Sequence, residues 1–142
     1  MSDFEKQSEK IQEKLQELKK EAKEDCFIDK TRLFDTFNTV ILEKWIRKRV
    51  EWSKLSRAFE EKRKDKFRSL YQYYKTDFEL KLSSKEEYQL FIESDSTYVL
   101  ILSLCLSIKE VLKYIDDVID AIKSRGWEIK NYMEYMKFIS GN

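Results

Sequence analysis

The chain of 142 residues contains no proline and only two glycines, Gly126 and Gly141. Because proline and glycine interrupt helices more strongly than any other residues, almost nothing in this sequence stops a helix once it has begun. Charged residues make up 39% of the chain and apolar residues 42%, a mixture that suits long helices with one exposed side and is unlike that of a disordered chain. The sequence therefore predicts a mainly α fold of long amphipathic helices.

Residues 1–25 predict an N-terminal helical arm. Ser2 and Glu5 have the spacing of a capping box, and apolar residues then recur at helical intervals. A stripe this narrow favours packing against one partner helix, and a solvated, frayed arm is the alternative. The stripe consists of Phe4, Ile11, Leu15, Leu18 and Ala22.

A second, very long helix is predicted from an N-cap at Asp29 to about Asp77, because no breaker lies between them. Residues 78–82 then alternate apolar and polar side chains, residues 83–87 suit a turn, and residues 88–93 are rich in aromatic and apolar side chains. This pattern predicts a small β-hairpin at about 78–93. A helix kinked at Ser83–Ser84 is the alternative.

The region 94–142 predicts a helix-turn-helix that joins copies of the chain. Its first helix is capped within residues 94–97 and carries a heptad seam, Gly126 predicts the turn, and the last helix is apolar on nearly all sides. Such a face needs more cover than a chain of this size supplies, which favours a homo-oligomer. The predicted interface residues are Leu104, Ile108, Val111, Ile115, Val118, Ile122, Gly126, Trp127, Met133 and Met136.

The net charge of +1 conceals a strongly uneven distribution. Residues 26–76 hold fourteen basic and seven acidic side chains, whereas residues 77–122 hold four basic and ten acidic ones. Aromatic residues are interleaved with the basic ones, a combination that suits single-stranded nucleic acid because cations bind phosphates and aromatic rings stack on bases. The alternative is that the aromatic residues face the core and the cations form an ordinary solvated surface. Three regions are thus predicted: the arm 1–25, a basic DNA-binding region with the hairpin at 26–93, and oligomerisation helices at 94–142.

No catalytic constellation, cofactor motif or metal-ligand spacing is recognisable, so the chain is expected to be neither an enzyme nor a metalloprotein. It has no histidine, and its two cysteines, Cys26 and Cys105, are far apart and expected to be reduced thiols. Asp116, Asp117 and Asp120 suit either an exposed acidic helix face or a Mg²⁺ site. No segment reads as a signal peptide or a membrane span, so a soluble, intracellular protein is expected.

Several short motifs resemble one known family. Residues 120–130 around Gly126, together with residues 25–29, Lys44-Trp45 and Tyr73-Tyr74 in the same order, are similar to the UvsY recombination mediators of T4-type bacteriophages. The resemblance covers most of the chain from Asp25 onward.

The resemblance implies a small helical protein that forms a ring-like homo-oligomer of the hexamer or heptamer class. It implies binding of single-stranded DNA, contacts with the phage recombinase and the phage single-strand-binding protein, and loading of the recombinase in the cytoplasm of the infected host. The family's basic pair before the tyrosines falls on Arg68 and Leu70, so neighbouring cations are expected to compensate. The predicted DNA contacts are Lys48, Arg49, Lys62, Arg63, Lys64, Lys66, Arg68, Tyr73 and Tyr74.

Other functions remain open at this point. The chain suits a helical assembly protein without nucleic-acid binding, such as a virion assembly chaperone, in which the basic segment is only a solvated face. A basic helix lying on an anionic membrane is disfavoured, because acidic residues separate the cations. The acidic block 77–122 is interpreted as the polar face of the oligomer, or alternatively as a region that repels DNA.

Overall fold

The computed structural model describes residues 3–27 and 35–141. In the second range, the side chains are described from residue 38 onward. It contains, within these residues, four helices: α1 (Asp3–Asp25), α2 (Asp35–Thr76), α3 (Lys85–Glu93) and α4 (Ser96–Ile139). The mainly α prediction is confirmed. The predicted caps at Ser2 and Asp29 lie outside the described residues. No helix in the described ranges is long and apolar enough to cross a membrane.

The predicted hairpin at 78–93 is wrong, because residues 85–93 form helix α3. Ser84 and Glu87 have the capping-box spacing: the backbone N–H of Glu87 donates to Ser84 Oγ at 3.2 Å, and the Glu87 carboxylate accepts from the Ser83 N–H at 2.8 Å. Tyr88, Phe91 and Ile92 follow at helical spacing, so they share the face that packs on the core. Local capping and packing therefore override the alternating pattern that favoured strands.

The predicted turn at Gly126 is also wrong, and α4 passes through this residue without interruption. Among the described residues a positive φ occurs only at Gly141, which lies just after the helix and has φ +80°. The backbone of α4 at Gly126 is instead approached by a side chain, since a Cβ added there would lie 3.0 Å from Asn38 Nδ2. The glycine therefore serves close packing, and the expected helix-turn-helix is one continuous helix.

The chain forms two compact units, each built from separate stretches of sequence. Unit 1 comprises residues 1–12 and 53–110, and unit 2 comprises residues 13–52 and 111–142. Both units combine parts of α1, α2 and α4, and α3 belongs to unit 1. The predicted apolar stripe of α1 is buried from Ile11 to Ala22, so this helix is packed and is not a frayed arm.

Unit 1 has a core rich in aromatic side chains. Leu70, Ile92 and Tyr98 are buried at its centre, with Phe67, Tyr74 and Leu102 packed around them. Phe91 of α3 contacts both Tyr74 and Phe78, with ring centroids 5.5 and 5.6 Å apart, which fixes α3 against the end of α2. At the start of α4, the Tyr98 N–H donates to Asp95 Oδ2 at 3.0 Å, so the cap predicted within residues 94–97 is Asp95.

Unit 2 has a polar network beside its apolar core. Asp25, at the end of α1, accepts a hydrogen bond from the indole N–H of Trp45 at 2.8 Å and pairs with the Lys44 ammonium at 2.7 Å. The buried Arg125 guanidinium of α4 donates to the Asp25 carbonyl oxygen and, at 2.9 Å, to Asn38 Oδ1. These hydrogen bonds and the ion pair link the three helix segments of the unit in a specific arrangement, and of the Arg125 guanidinium only Nη2 is buried without a hydrogen-bond partner among the described residues.

Candidate nucleic-acid interface

The first two predicted DNA contacts, Lys48 and Arg49, are paired with acidic side chains of the same chain. The Lys48 ammonium lies 3.2 Å from Glu21 of α1, and Arg49 Nε lies 2.5 Å from Asp116 of α4. Both pairs join neighbouring helices of unit 2. Each of these two cations must therefore break an ion pair with a carboxylate of the same chain before it can bind a phosphate.

Further along α2, the predicted contacts lie on two different sides of the helix in unit 1. Steps of four, three and four place exposed side chains on one side, which we call the first flank and which consists of Lys64, Arg68, Tyr71 and Lys75. Steps of four and seven define a second flank, which consists of Lys62, Lys66 and Tyr73. The buried face of α2, with Phe59, Leu70 and Tyr74, lies between them. A single strand of DNA on one flank does not reach every predicted contact.

The second flank offers the smaller cluster of cations, two against three on the first flank. The Lys62 ammonium lies over the Phe59 ring, 4.8 Å from its centroid, and Lys66 is half-buried. Lys66 forms no ion pair with another residue in the described part of the chain.

Arg63 lies on the buried face of α2, next to the first flank, and has a structural role. Its guanidinium donates to the Tyr98 hydroxyl at 3.1 Å and pairs with Glu60 at 3.0 Å. These two hydrogen bonds raise the pKa of Arg63. A second cation, Lys109 of α4, approaches the same Glu60 carboxylate at 3.5 Å. The predicted DNA contact at Arg63 therefore also holds α2 against α4 within unit 1.

The first flank includes a shallow groove lined by Arg63, Lys64, Phe67 and Arg68. The two outer cations form exposed ion pairs, Lys64 with Glu61 at 3.8 Å and Arg68 with Asp65 at 3.0 Å. Exposed pairs of this kind contribute at most about 1 kcal/mol, so a phosphate can displace the carboxylate at little cost. Lys64 and Lys75 are separated by about 16 Å along the helix axis. The groove and flank thus present a row of available cations next to an aromatic ring.

The paired tyrosines are in different environments. Tyr74 packs against Phe78 and Phe91 in the core of unit 1, and burial raises its pKa, with the nearby Asp95 charge adding to the effect. Tyr73 is 46% exposed on the second flank. Three residues of this region are not among the predicted contacts. Tyr71 and Lys75 belong to the first flank and contact each other, and Tyr88 of α3 packs against Tyr71. The repeat of Lys64, Arg68, Tyr71 and Lys75 at helical spacing is the sequence signal that identifies two of them.

Residues 21–142 match the sequence profile of the family described as "Recombination, repair and ssDNA binding protein UvsY". The chain belongs to the UvsY family. No curated protein matches it significantly in sequence.

Crystal structures of the bacteriophage T4 recombination mediator protein UvsY share the fold of this UvsY-family chain. The lattice type II form has a TM-score of 0.79 at 26% identity, covering 88% of this chain and 96% of that one. The lattice type I form has a TM-score of 0.78 at 26% identity, covering 86% and 98%. The lattice type IV form has a TM-score of 0.77 at 25% identity, covering 87% and 97%.

The residues that carry the UvsY resemblance lie mainly in the polar network of unit 2. Asp25, Lys44, Trp45 and Arg125 are its members, and Gly126 permits the approach of Asn38 to α4. In this chain these motif residues therefore serve the structure of unit 2, whereas the paired tyrosines of the resemblance and the first flank of α2 belong to unit 1.

The ten predicted interface residues are in three different environments. The first six are buried within the chain itself, so they have no free surface in a single copy: Leu104, Ile108, Val111, Ile115, Val118 and Ile122. Gly126 faces Asn38. The remaining three are exposed near the end of α4, in company with four other large apolar side chains: Trp127, Met133, Met136, Tyr132, Tyr135, Phe138 and Ile139. We call these seven residues the C-terminal face.

The acidic side chains and the cysteines of this UvsY-family chain show no arrangement for metal binding or thiol chemistry among the described residues. No group of three or more His, Cys, Asp and Glu side chains that could hold a metal is present among them. Asp116, one of the three clustered aspartates, pairs with Arg49. Cys26 and Cys105 are free thiols, and burial raises the pKa of both, which keeps them protonated at neutral pH.

Proposed function

We propose that this chain is a non-enzymatic recombination mediator that binds single-stranded DNA as a homo-oligomer. Through this binding it promotes loading of the phage recombinase onto DNA covered by single-strand-binding protein, in the cytoplasm of the infected host. Membership of the UvsY family supports the proposal. The observation that carries it at the level of residues is the first flank of α2, where three exposed cations lie on one side of a helix next to an exposed tyrosine.

The physical basis is the exchange of weak internal ion pairs for phosphate contacts. Lys64 and Arg68 give up exposed carboxylates, and each phosphate that they bind releases condensed counterions. Assembly through the C-terminal face would repeat the flank in every copy, which raises the avidity for a long strand without any new contact. A strand held in this way competes with single-strand-binding protein for the same phosphates and is presented to the recombinase.

The first prediction concerns the charge of the first flank. The triple variant Lys64→Gln/Arg68→Gln/Lys75→Gln should bind oligothymidylate more weakly, because it lacks three phosphate contacts. The slope of log affinity against log salt concentration should become shallower by about 2, since each contact to a single strand contributes about 0.7. Fluorescence anisotropy at several salt concentrations measures both quantities. The same variant should no longer stimulate the recombinase ATPase on DNA covered by single-strand-binding protein.

A control with the same three charges removed elsewhere isolates the flank. Lys10, Lys14 and Lys20 are exposed on α1, and the variant Lys10→Gln/Lys14→Gln/Lys20→Gln should keep the wild-type salt slope. An equal loss in both variants would mean that only net charge matters. A wild-type chain that does not bind oligothymidylate at low salt would contradict the proposal and favour a helical assembly protein without nucleic-acid binding.

A further inference from the structure

Two tyrosines from different helices pack together beside the first flank. The ring centroids of Tyr71 in α2 and Tyr88 in α3 lie 5.0 Å apart, and the ring planes are tilted by 36°. Tyr71 is 40% exposed, and Tyr88 is half-buried. The partner ring holds Tyr71 in place while part of its surface stays open to solvent. The pair is thus a fixed aromatic surface rather than a single mobile side chain.

We propose that the Tyr71–Tyr88 pair is a base-stacking platform within the single-stranded DNA site, an inference that rests on the function proposed above. A base stacked on this surface would extend the tilted pair by one further ring. Tyrosine presents its π face to any base, so the platform tolerates every sequence. This tolerance is what a protein that acts along arbitrary single strands requires.

The cations around the platform are placed to bind the phosphates on either side of a stacked base. Arg68 precedes Tyr71 by three residues and Lys75 follows it by four, so all three share one side of α2. The Lys75 ammonium lies 6.0 Å from the Tyr71 ring centroid, at the outer limit of a cation–π contact. It can leave the ring for a phosphate with little loss.

The alternative aromatic residues in unit 1 are less suited to stacking. Tyr74 is committed to the core, where its ring contacts Phe78 and Phe91. Tyr73 is exposed, but its ring meets Tyr74 and Phe78 edge-on, and it lies on the second flank with the smaller cation cluster. The platform therefore differs from the paired tyrosines that the family resemblance suggested.

The test compares two probes of equal length and equal phosphate number, oligothymidylate and a fully abasic oligonucleotide. The wild-type chain should bind oligothymidylate more tightly than the abasic strand, because only the former can stack. The double variant Tyr71→Leu/Tyr88→Leu should lose about tenfold in affinity for oligothymidylate and little for the abasic strand. Its salt slope should stay at the wild-type value, since no phosphate contact is removed.

Two control variants and one substitute test variant sharpen the result. Tyr73→Leu, an exposed tyrosine on the second flank, should keep the preference for bases. The double variant Tyr71→Phe/Tyr88→Phe should also keep it, because phenylalanine retains the ring. Circular dichroism checks the folding of each variant, and if the double leucine variant loses helicity, the more exposed Tyr71→Leu alone carries the test.

The possible outcomes separate this inference from the proposed function. A wild-type chain that binds neither probe overturns the proposed function. A chain that binds both probes equally, or leucine variants that keep the full preference for oligothymidylate, overturn the platform while DNA binding stands. Loss of the preference in Tyr73→Leu instead would assign stacking to the second flank and would likewise overturn it.

Discussion

Asn38 joins two helices of unit 2 through both ends of its side-chain amide. Its Oδ1 accepts from Arg125 Nε at 2.9 Å, and its Nδ2 donates to the carbonyl oxygen of Ile122 at 3.3 Å. A Cβ added at Gly126 would lie 3.0 Å from Nδ2, so the amide would have to move away from the α4 backbone to make room for it. At the scale of a residue, therefore, the glycine is explained by a side chain that lies far earlier in the sequence.

We therefore predict that the effect of Gly126→Ala on the free energy of unfolding changes sign when Asn38 is also replaced. Gly126→Ala alone should lower the free energy of unfolding by about 1 kcal/mol, because the new methyl group displaces an amide that makes two hydrogen bonds. In an Asn38→Ala background the same substitution should raise it by up to about 1 kcal/mol, since alanine is the better helix former. Urea unfolding followed by circular dichroism measures the free energy of unfolding of the wild type, the two single variants and the double variant. A destabilisation of equal size in both backgrounds would mean that Gly126 serves the backbone alone.

Among the elements, the presence of the long helices was predictable, but the continuation of α4 beyond Gly126 and the helical state of α3 were not. The stretch without breakers from Lys30 to Asp77, followed by a change of pattern at residue 78, predicted where α2 ends. The capping-box spacing of Ser84 and Glu87 is also present in the sequence, but the alternation of apolar and polar residues nearby favoured strands. Gly126 looked like a helix end because glycine suits turns, and nothing local revealed Asn38. A close approach is set by tertiary packing, which one sequence does not display.

The residue types of the candidate site were predictable from the sequence, but the contacts of those residues with other helices were not. Cations and aromatic residues between Lys44 and Lys75 indicated a polyanion site, and the helical repeat of Lys64, Arg68, Tyr71 and Lys75 was present in the sequence. Which cations are already paired depends on other helices. Lys48 and Arg49 have partners in α1 and α4, and the second ring of the stacking platform comes from an element read as a strand.

The contact between α1 and α2 in unit 2 should depend on pH. Glu21 of α1 pairs with Lys44 at 2.7 Å and with Lys48 at 3.2 Å. Burial acts to raise the pKa of Glu21, but the hydrogen bonds and charges of the two lysines outweigh it, so the pKa lies below its usual value of 4.5. A lowered pKa in the folded state means that this contribution is complete above pH 4.5 and is lost as the pH falls through the lowered value.

We therefore expect Glu21→Gln to lower the free energy of unfolding at pH 7 by about 0.5–1 kcal/mol, a small value because the pair is partly exposed. The difference from wild type should shrink as the pH falls below 4.5. Glu17, an exposed residue of the same helix, supplies the matched control Glu17→Gln, which should change little at either pH. A constant Glu21→Gln difference down to strong acid would exclude the linkage.

At the scale of the whole molecule, the C-terminal face is an apolar surface that a single chain leaves uncovered. Trp127 is 67% exposed and Phe138 is 82% exposed, in a helix that continues to Ile139. The seven residues of the face lie on several sides of α4, whereas soluble monomers rarely expose large continuous apolar surfaces. Because the heptad seam is buried within the chain, we infer that copies of the chain meet through this face, which holds most of the exposed large apolar side chains of α4 among the described residues.

The last prediction follows from this face. Met133→Glu/Met136→Glu should convert the assembly to monomers at micromolar concentration, because two charges would be buried at the contact without partners. The matched control is Val99→Glu/Leu106→Glu, exposed apolar residues of the same helix outside the face, which should leave the assembly intact. Sedimentation equilibrium measures the assembly state of both variants.

The monomeric variant should also bind a long single strand of DNA more weakly than wild type, because the avidity of the assembly is lost although the first flank is unchanged. A monomeric wild type, or an assembled glutamate variant, would show that the C-terminal face does not join the copies.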